Sequence, residues 1–192
     1  MTIGIFPGSF NPIHMGHLIL LRYWLNHTDL AQIWLVVSPH NPFKAAHELA
    51  PFEHRLAMVR LSVAGESRLL ASDAEAHLPK PSYTIQLLKY LRREYPTWNW
   101  ALLLGADAAC SLPSWREGKR ILEEWTIWVY PRRNTNPSDL PKGNYLRFFE
   151  EAPLIEISAT QVRQYLASGL SIRYLVLPEV ENYLHTYALY RT

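Results

Sequence analysis

The sequence predicts an α/β fold built around a doubly wound, mainly parallel sheet. Short apolar runs alternate along the chain with amphipathic stretches, which is typical of βαβ units. Hydrophobic residues make up 48% and charged residues 19% of the 192-residue chain, enough apolar material for a buried core. A chain of this length is expected to form a single domain, residues 1–192.

The alternation divides the chain into twelve predicted elements. The apolar runs predict strands at residues 3–6, 33–37, 68–71, 100–104, 126–130 and 154–157. The amphipathic stretches predict helices at residues 16–26, 51–64, 84–95, 115–124, 160–167 and 178–190, on both faces of the sheet. Residues 131–143 are rich in Pro, Arg and Asn and predict a loop, and about residues 155–192 form a small helical C-terminal subdomain. Right-handed crossovers bring the carboxyl ends of the strands to one edge, where ligands of such sheets bind.

Composition and charge exclude several classes of protein. The net charge is only +2, and basic pairs such as Arg92-Arg93 and Arg132-Arg133 are too short to form a basic stripe, so no nucleic-acid partner is expected. The apolar runs are far shorter than the roughly 18 residues that span a membrane, and no signal peptide is recognised. A single cysteine, Cys110, rules out an internal disulfide and is typical of a reducing compartment. We therefore expect a cytoplasmic protein without membrane contact.

The loop after the first predicted strand carries the strongest signal of chemistry. Residues 7–17 read Pro-Gly-Ser-Phe-Asn-Pro-Ile-His-Met-Gly-His and lead into the first predicted helix. A glycine-containing turn lets the backbone approach a phosphate, and a helix N-terminus adds free amides and partial positive charge. His14 and His17 lie three residues apart on one helix face, so both can reach an anion placed there.

Chance spacing and zinc binding are the alternatives to a phosphate role for these histidines. Eight histidines in the chain produce about 0.3 His-x-x-His pairs by chance, so the pair is informative only with its glycine and its strand–loop–helix context. A zinc site needs a further ligand, and Cys110 follows a different predicted strand. The evenly spaced His40, His47 and His54 are separated by prolines that prevent one helix from aligning them.

A second candidate phosphate motif follows the predicted strand 154–157. Residues 158–163 read Ser-Ala-Thr-Gln-Val-Arg, in which Ser158 and Gln161 have capping-box spacing. Taken alone, this is an ordinary capped helix. It also places Ser158, Thr160 and Arg163 at the sheet edge where the first loop lies, so two anion sites are expected to face one cleft.

The two motifs together resemble the signatures of the nucleotidyltransferase superfamily with a His-x-Gly-His motif, whose sheet is Rossmann-like. In that superfamily the second motif reads Ile-Ser-x-Thr-x-x-Arg and grips the ATP triphosphate. The resemblance implies that Gly8, Ser9 and Phe10 help to bind ATP. It also implies that the catalytic groups are His14 at the β/γ side, His17 at the α-phosphate and Arg163 at the leaving pyrophosphate.

Further residues resemble the nicotinate mononucleotide adenylyltransferase family, and the likeness covers nearly the whole chain. It implies that Gly105 and Asp107 lie beside the ATP sugar and base, and that Lys44 is a catalytic cation holding the acceptor phosphate. The residues implied to bind the acceptor, nicotinate mononucleotide, are Asn11, Lys44, Tyr83, Thr84, Trp115 and Arg132. Some of these residues have an ordinary structural alternative: Lys44 as a solvated lysine, Trp115 as core, and Ser82 or Thr84, like Asp107, as a helix cap.

The resemblance implies AMP transfer from ATP to nicotinate mononucleotide, with Mg²⁺ carried mainly by the ATP phosphates and no dedicated protein metal site. Asn11 stands where the family usually has aspartate, Lys80-Pro81 where arginine and glycine are usual, and Ala159 where serine is common. Because of these departures, nicotinamide mononucleotide is an alternative to nicotinate mononucleotide as the acceptor. Phosphopantetheine adenylyltransferase and a catalytically silent nucleotide sensor are the alternatives, and the oligomeric state is open.

Overall fold

The computed structural model describes residues 1–39 and 49–191. Within these residues all the strands run parallel in one six-stranded sheet of order β3-β2-β1-β4-β5-β6. The strands are β1 (Thr2–Gly8), β2 (Gln32–Val37), β3 (Leu69–Ser72), β4 (Asn99–Gly105), β5 (Thr126–Tyr130) and β6 (Leu146–Phe148). The order reverses between β1 and β4, which is the Rossmann-like arrangement that the sequence predicted.

Seven α-helices cover this sheet in the described part of the chain. They are α1 (Met15–His27), α2 (Phe52–Val63), α3 (Thr84–Glu94), α4 (Ala106–Ser111), α5 (Gly118–Glu124), α6 (Ala159–Ala167) and α7 (Pro178–Thr186). Three short 3₁₀ segments add to them: Ala74–His77, Leu112–Ser114 and Pro137–Asp139. None of these helices is long and apolar enough to cross a membrane.

The predicted placement of helices on both faces is confirmed by two separate hydrophobic cores. Alternate residues of β2 point to opposite sides: Ile33, Leu35 and Val37 enter one core, and Trp34 and Val36 enter the other. The first core is completed by α1, α2, α6 and α7, and the second by α3, α4 and α5. The C-terminal helices thus pack on the face that carries α1, where Arg163 of α6 and Tyr190, which follows α7, reach the loop after β1.

The prediction of the last strand was wrong. The sixth strand is Leu146–Phe148, which pairs with β5, whereas residues 154–157 form no strand. A three-residue strand is too short to show an alternating pattern. The apolar Ile155 has a different role, because it packs against the start of α1: a Cβ added to Gly16 would lie 3.0 Å from its side chain.

Other differences concern short elements and helix ends. Helix α4 was not predicted, because six residues show less than two turns of periodicity. The predicted helix 115–124 begins only at Gly118, and the predicted helix 178–190 ends at Thr186. The predicted loop 131–143 contains the 3₁₀ turn Pro137–Asp139.

Candidate active site

The candidate site lies where the strand order reverses, at the carboxyl ends of β1 and β4. The loop after β1 holds a tight geometry: Phe10 has a left-handed backbone (φ 44°) and is only 2% exposed. A Cβ on Gly8 would come 3.0 Å from the Phe10 ring, so glycine lets the ring pack beneath the backbone. Phe10 therefore supports the loop from below, while Gly8 and the buried Ser9 line a cavity above it.

The two motif histidines meet at the start of α1. Their rings stack with centroids 3.7 Å apart, and the backbone N–H of His14 donates to Nδ1 of His17 at 3.2 Å. Because Nδ1 of His17 accepts this bond, a neutral His17 ring carries its proton on Nε2. Burial, with a smaller contribution from the Arg132 charge, lowers the pKa of His14 to about 4. His14 is therefore a neutral donor at neutral pH.

The second motif lies against the first, although about 140 residues separate them. Arg163 donates from Nη1 to the backbone oxygen of Asn11 at 2.9 Å and from Nη2 to Oγ1 of Thr160 at 3.3 Å. Ser158 caps α6, its hydroxyl oxygen accepting from the Gln161 N–H at 3.1 Å. Arg163 thus joins the second motif to the histidine loop, while the anion-binding role of Arg163, Thr160 and Ser158 stays a prediction.

Asn11 has a supporting position rather than one on a cavity wall. Its side chain is 2% exposed, and its Oδ1 accepts from the Ala50 N–H at 2.9 Å and from the Tyr190 hydroxyl at 2.5 Å. Burial raises the pKa of Tyr190, so its hydroxyl remains a proton donor. The proposed contact of Asn11 with the acceptor stays a prediction, while the structure shows it joining the loop to the C-terminal tyrosine.

A cavity of about 430 Å³ opens beside the end of β1. Its walls include three of the six residues predicted to bind the acceptor, Tyr83, Thr84 and Trp115, and two predicted to bind ATP, Gly8 and Ser9. Residues that were not predicted to bind either substrate also line it, among them Ser38, Glu75, Ser82 and Arg116. Nε1 of the half-buried Trp115 donates to Oγ of Ser111 at 2.8 Å, which fixes the indole on the cavity wall. A fixed indole plane of this kind can stack on a flat ring.

Glu75 holds two walls of this cavity together. Its carboxylate accepts from the hydroxyls of Ser38 at 2.9 Å and Ser82 at 2.7 Å, and burial raises the pKa of the carboxyl group. Ser82 is therefore not a helix cap, and the residue before α3 is Tyr83, whose N–H donates to Gln86 at 2.9 Å. No sequence pattern marked Glu75, which lies in a four-residue 3₁₀ turn.

Arg55 is the second residue that sequence reasoning missed. Its guanidinium is 1% exposed and donates to the backbone oxygens of Ser9, Ser38, Pro39 and Ala50 at 2.7–2.9 Å. It thereby ties the loop after β1 to the end of β2 and to the chain before α2. In the sequence it looks like one more arginine on an amphipathic helix.

A second cavity, of about 220 Å³, lies on the other side of the switch point. It is lined by Asp107, Arg132 and Ser158 among others, and Nε of Arg132 lies 3.5 Å from the Asp107 carboxylate. The structure thus places Arg132, predicted to bind the acceptor, with the residues predicted to bind ATP and away from Trp115. A Cβ on Gly105 would lie 2.5 Å from Asp107 Oδ1, so this glycine makes room for the carboxylate. Lys44 lies outside the described residues.

The loop after β1 lies between the two cavities. The hydrogen-bond donors at this loop are the imidazoles of His14 and His17, backbone amides, and the guanidinium of Arg163 on α6. These are groups that bind phosphate oxygens, and the cavities provide room for a nucleotide on each side. The site therefore has the features of a nucleotidyltransferase that joins two nucleotides at the histidine loop.

Comparison with known proteins agrees with this class. Residues 5–165 match the cytidylyltransferase-like family. A probable nicotinate-nucleotide adenylyltransferase of Bacteroides fragilis is 44% identical over 179 residues, covering 92% of this chain and 88% of its own. One from Cytophaga hutchinsonii is 43% identical over 182 residues, covering 95% and 94%. The chain belongs to the cytidylyltransferase-like family and, within it, to the nicotinate-nucleotide adenylyltransferases.

A solved structure supports the same assignment. The Plasmodium falciparum nicotinic acid mononucleotide adenylyltransferase complexed with NaAD superimposes with a TM-score of 0.83 at 25% identity, covering 98% of this chain and 97% of that one. The whole architecture, including the C-terminal helices, is therefore shared with an enzyme captured with a dinucleotide.

Proposed function

We propose that this protein transfers AMP from ATP to nicotinate mononucleotide, giving nicotinate adenine dinucleotide and pyrophosphate. The observation that carries the proposal is the pair of cavities on either side of the His14–His17 loop. The larger one, with Trp115 and Tyr83, suits a pyridine nucleotide, and the smaller one, with Asp107 and Ser158, suits the adenosine side.

The chemistry requires little proton transfer. An oxygen of the acceptor phosphate attacks the α-phosphorus of ATP, and the bond from that phosphorus to the bridging oxygen of pyrophosphate breaks. A phosphate monoester with a second pKa near about 6 is largely dianionic at neutral pH, so it is already a nucleophile. The protein then has to align the two phosphates and stabilise the charge that develops on the departing side.

Each nearby donor has a role in this proposal. His17 donates from Nε2 to the α-phosphate, and neutral His14, whose pKa is lowered to about 4, donates toward the β/γ side. Arg163, Thr160, Ser158 and the amides of α6 hold the leaving pyrophosphate. Lys44, outside the described residues, keeps its proposed role at the acceptor phosphate.

Magnesium belongs to this proposal as part of the substrate. The charged and aromatic side chains at the histidine loop, His14, His17 and Arg163, offer nitrogen groups, whereas Mg²⁺ prefers oxygen ligands and keeps several waters. Mg²⁺ would therefore enter with ATP, bound to the phosphate oxygens. A cytoplasmic location is also proposed, supported by the free thiol of Cys110.

The test is pyrophosphate release from MgATP with three acceptors side by side: nicotinate mononucleotide, nicotinamide mononucleotide and phosphopantetheine. We expect the nicotinate compound to have the highest kcat/KM. Faster turnover with phosphopantetheine would reject the acceptor assignment. Absence of pyrophosphate release with all three would point to a silent nucleotide-binding protein on this fold.

A further inference from the structure

Arg116 lines the larger cavity, which we propose to hold the acceptor, but the proposed reaction gives this residue no role. It follows Trp115 in the turn between the 3₁₀ segment Leu112–Ser114 and α5, and its side chain lines the cavity. The end of the cavity near Gly8 and Ser9 adjoins the histidine loop, where the phosphates react. Trp115 and Arg116 belong to a different wall, which follows β4 and α4.

The backbone of this turn is built tightly. The N–H of Gly118 donates to the oxygen of Trp115 at 2.9 Å, and Glu117 has a left-handed backbone (φ 53°). A Cβ on Gly118 would lie 1.8 Å from the backbone oxygen of Leu112, so only glycine permits this close approach. The turn therefore presents residues 115 and 116 to the cavity in a defined orientation.

The Arg116 side chain is held over the cavity by an aromatic ring. Its guanidinium carbon lies 4.8 Å from the ring centroid of Tyr83, within the range of a cation–π contact. Tyr83 itself lines the cavity, so this contact keeps the positive charge at the cavity wall.

The charge of Arg116 has no anionic partner within the described part of the chain. The adjacent carboxylate, Glu117, is occupied by Lys89 at 2.7 Å and Arg120 at 3.3 Å. Glu75, the acidic group of the cavity, already accepts two serine hydroxyls. The five N–H donors of a guanidinium beside a flat indole plane match a planar ring that carries a carboxylate.

We propose that Arg116 binds the ring carboxylate of the acceptor and makes the site select nicotinate over nicotinamide mononucleotide. This inference rests on the proposed function, whose acceptor it refines. The two mononucleotides differ only in carboxylate against carboxamide. A guanidinium attracts the anion, which offers only acceptors, and gains less from the neutral amide.

The test compares kcat/KM for both mononucleotides in the wild type, Arg116→Gln and Arg116→Lys. Arg116→Gln should lower kcat/KM for the nicotinate compound about tenfold. It should lower kcat/KM for the nicotinamide compound by no more than about twofold. Arg116→Lys should keep part of the preference, since charge remains but the planar fork is lost. The matched control is Arg147→Gln on β6, which removes another exposed arginine lying 4.3 Å from an aromatic ring centroid, that of Phe149.

Calorimetric binding of each mononucleotide without ATP separates this inference from the proposed function. If transfer fails but binding favours the nicotinate compound and Arg116→Gln removes that preference, the proposed function is wrong and the Arg116 assignment stands. An equal fall for both mononucleotides would instead place the guanidinium at a group they share, such as the phosphate. Unchanged selectivity in Arg116→Gln would also overturn the proposal.

Discussion

The protonation of His14 links folding stability to pH in a measurable way. The His14 side chain is 7% exposed, and burial, aided by the Arg132 charge, lowers its pKa from 6.5 to about 4. Between these two values the unfolded chain binds a proton at this position and the folded chain does not. The contribution to the free energy of unfolding is therefore fully present above about pH 6.5 and is lost as the pH falls toward 4.

The size of the effect follows from the two pKa values. The difference between 6.5 and about 4 corresponds to about 3 kcal/mol in full, at about 1.4 kcal/mol per pH unit. About 2 kcal/mol of this should already be lost at about pH 5. Other groups also titrate over this range, so the informative quantity is the difference between the wild type and a variant that lacks His14.

Urea denaturation of the wild type and His14→Gln at about pH 7.5 and about pH 5 measures this difference. The wild type should lose about 2 kcal/mol more than His14→Gln over that interval. Ser9→Ala is the matched control, because it alters the same buried loop without removing a titrating group and should keep the wild-type loss. Equal losses in the wild type and His14→Gln would show that folding does not lower the pKa of His14 and would refute the reasoning from its burial.

Three further predictions concern the reaction. His17→Ala should lower kcat by roughly 10²–10³ with little change in ATP binding, because a donor to the transferring phosphate matters most in the transition state; a variant that keeps more than about a tenth of kcat would remove His17 from the chemistry. Arg163→Ala should raise the KM for ATP and Arg163→Lys should restore it only in part, whereas an unchanged KM in both would make Arg163 purely a brace for Asn11. Glu75→Ala should raise the KM for the acceptor more than the KM for ATP, because it releases Ser38 and Ser82 from each other; a parallel rise in both, with a lowered Tm, would indicate a general structural role.

The sequence predicted those parts of the fold and site that depend on local pattern. Five of the six strands were identified, because each is a compact apolar run whose residues enter one or both hydrophobic cores. The loop with His14 and His17 and the helix start at Ser158 were also identified. Both lie at a turn that leads into a helix, and turn-forming residues determine the backbone conformation only of their near neighbours in the sequence.

Where a local sequence pattern is compatible with two structures, tertiary packing determines which of them forms. Residues 154–157 have strand-like composition, but Ile155 packs against the start of α1. The strand that pairs with β5 is formed by residues 146–148. The same applies to Ser82, which has the composition of a helix cap but donates to Glu75. A short segment has too few side chains to prefer one of these partners before the rest of the chain is in place.

Long-range contacts were beyond the reach of the sequence. Arg55 takes part in the site because four backbone oxygens from three segments accept hydrogen bonds from it. Tyr190 takes part because its hydroxyl donates to Asn11, which lies 179 residues earlier in the sequence. Arg116 lines the cavity because a turn around Gly118 directs it over Tyr83. The sequence by itself determined the sheet, the two phosphate motifs and the family resemblance. Only the tertiary structure decided which buried polar groups support them, because a hydrogen bond between distant segments exists only once hydrophobic packing has brought those segments together.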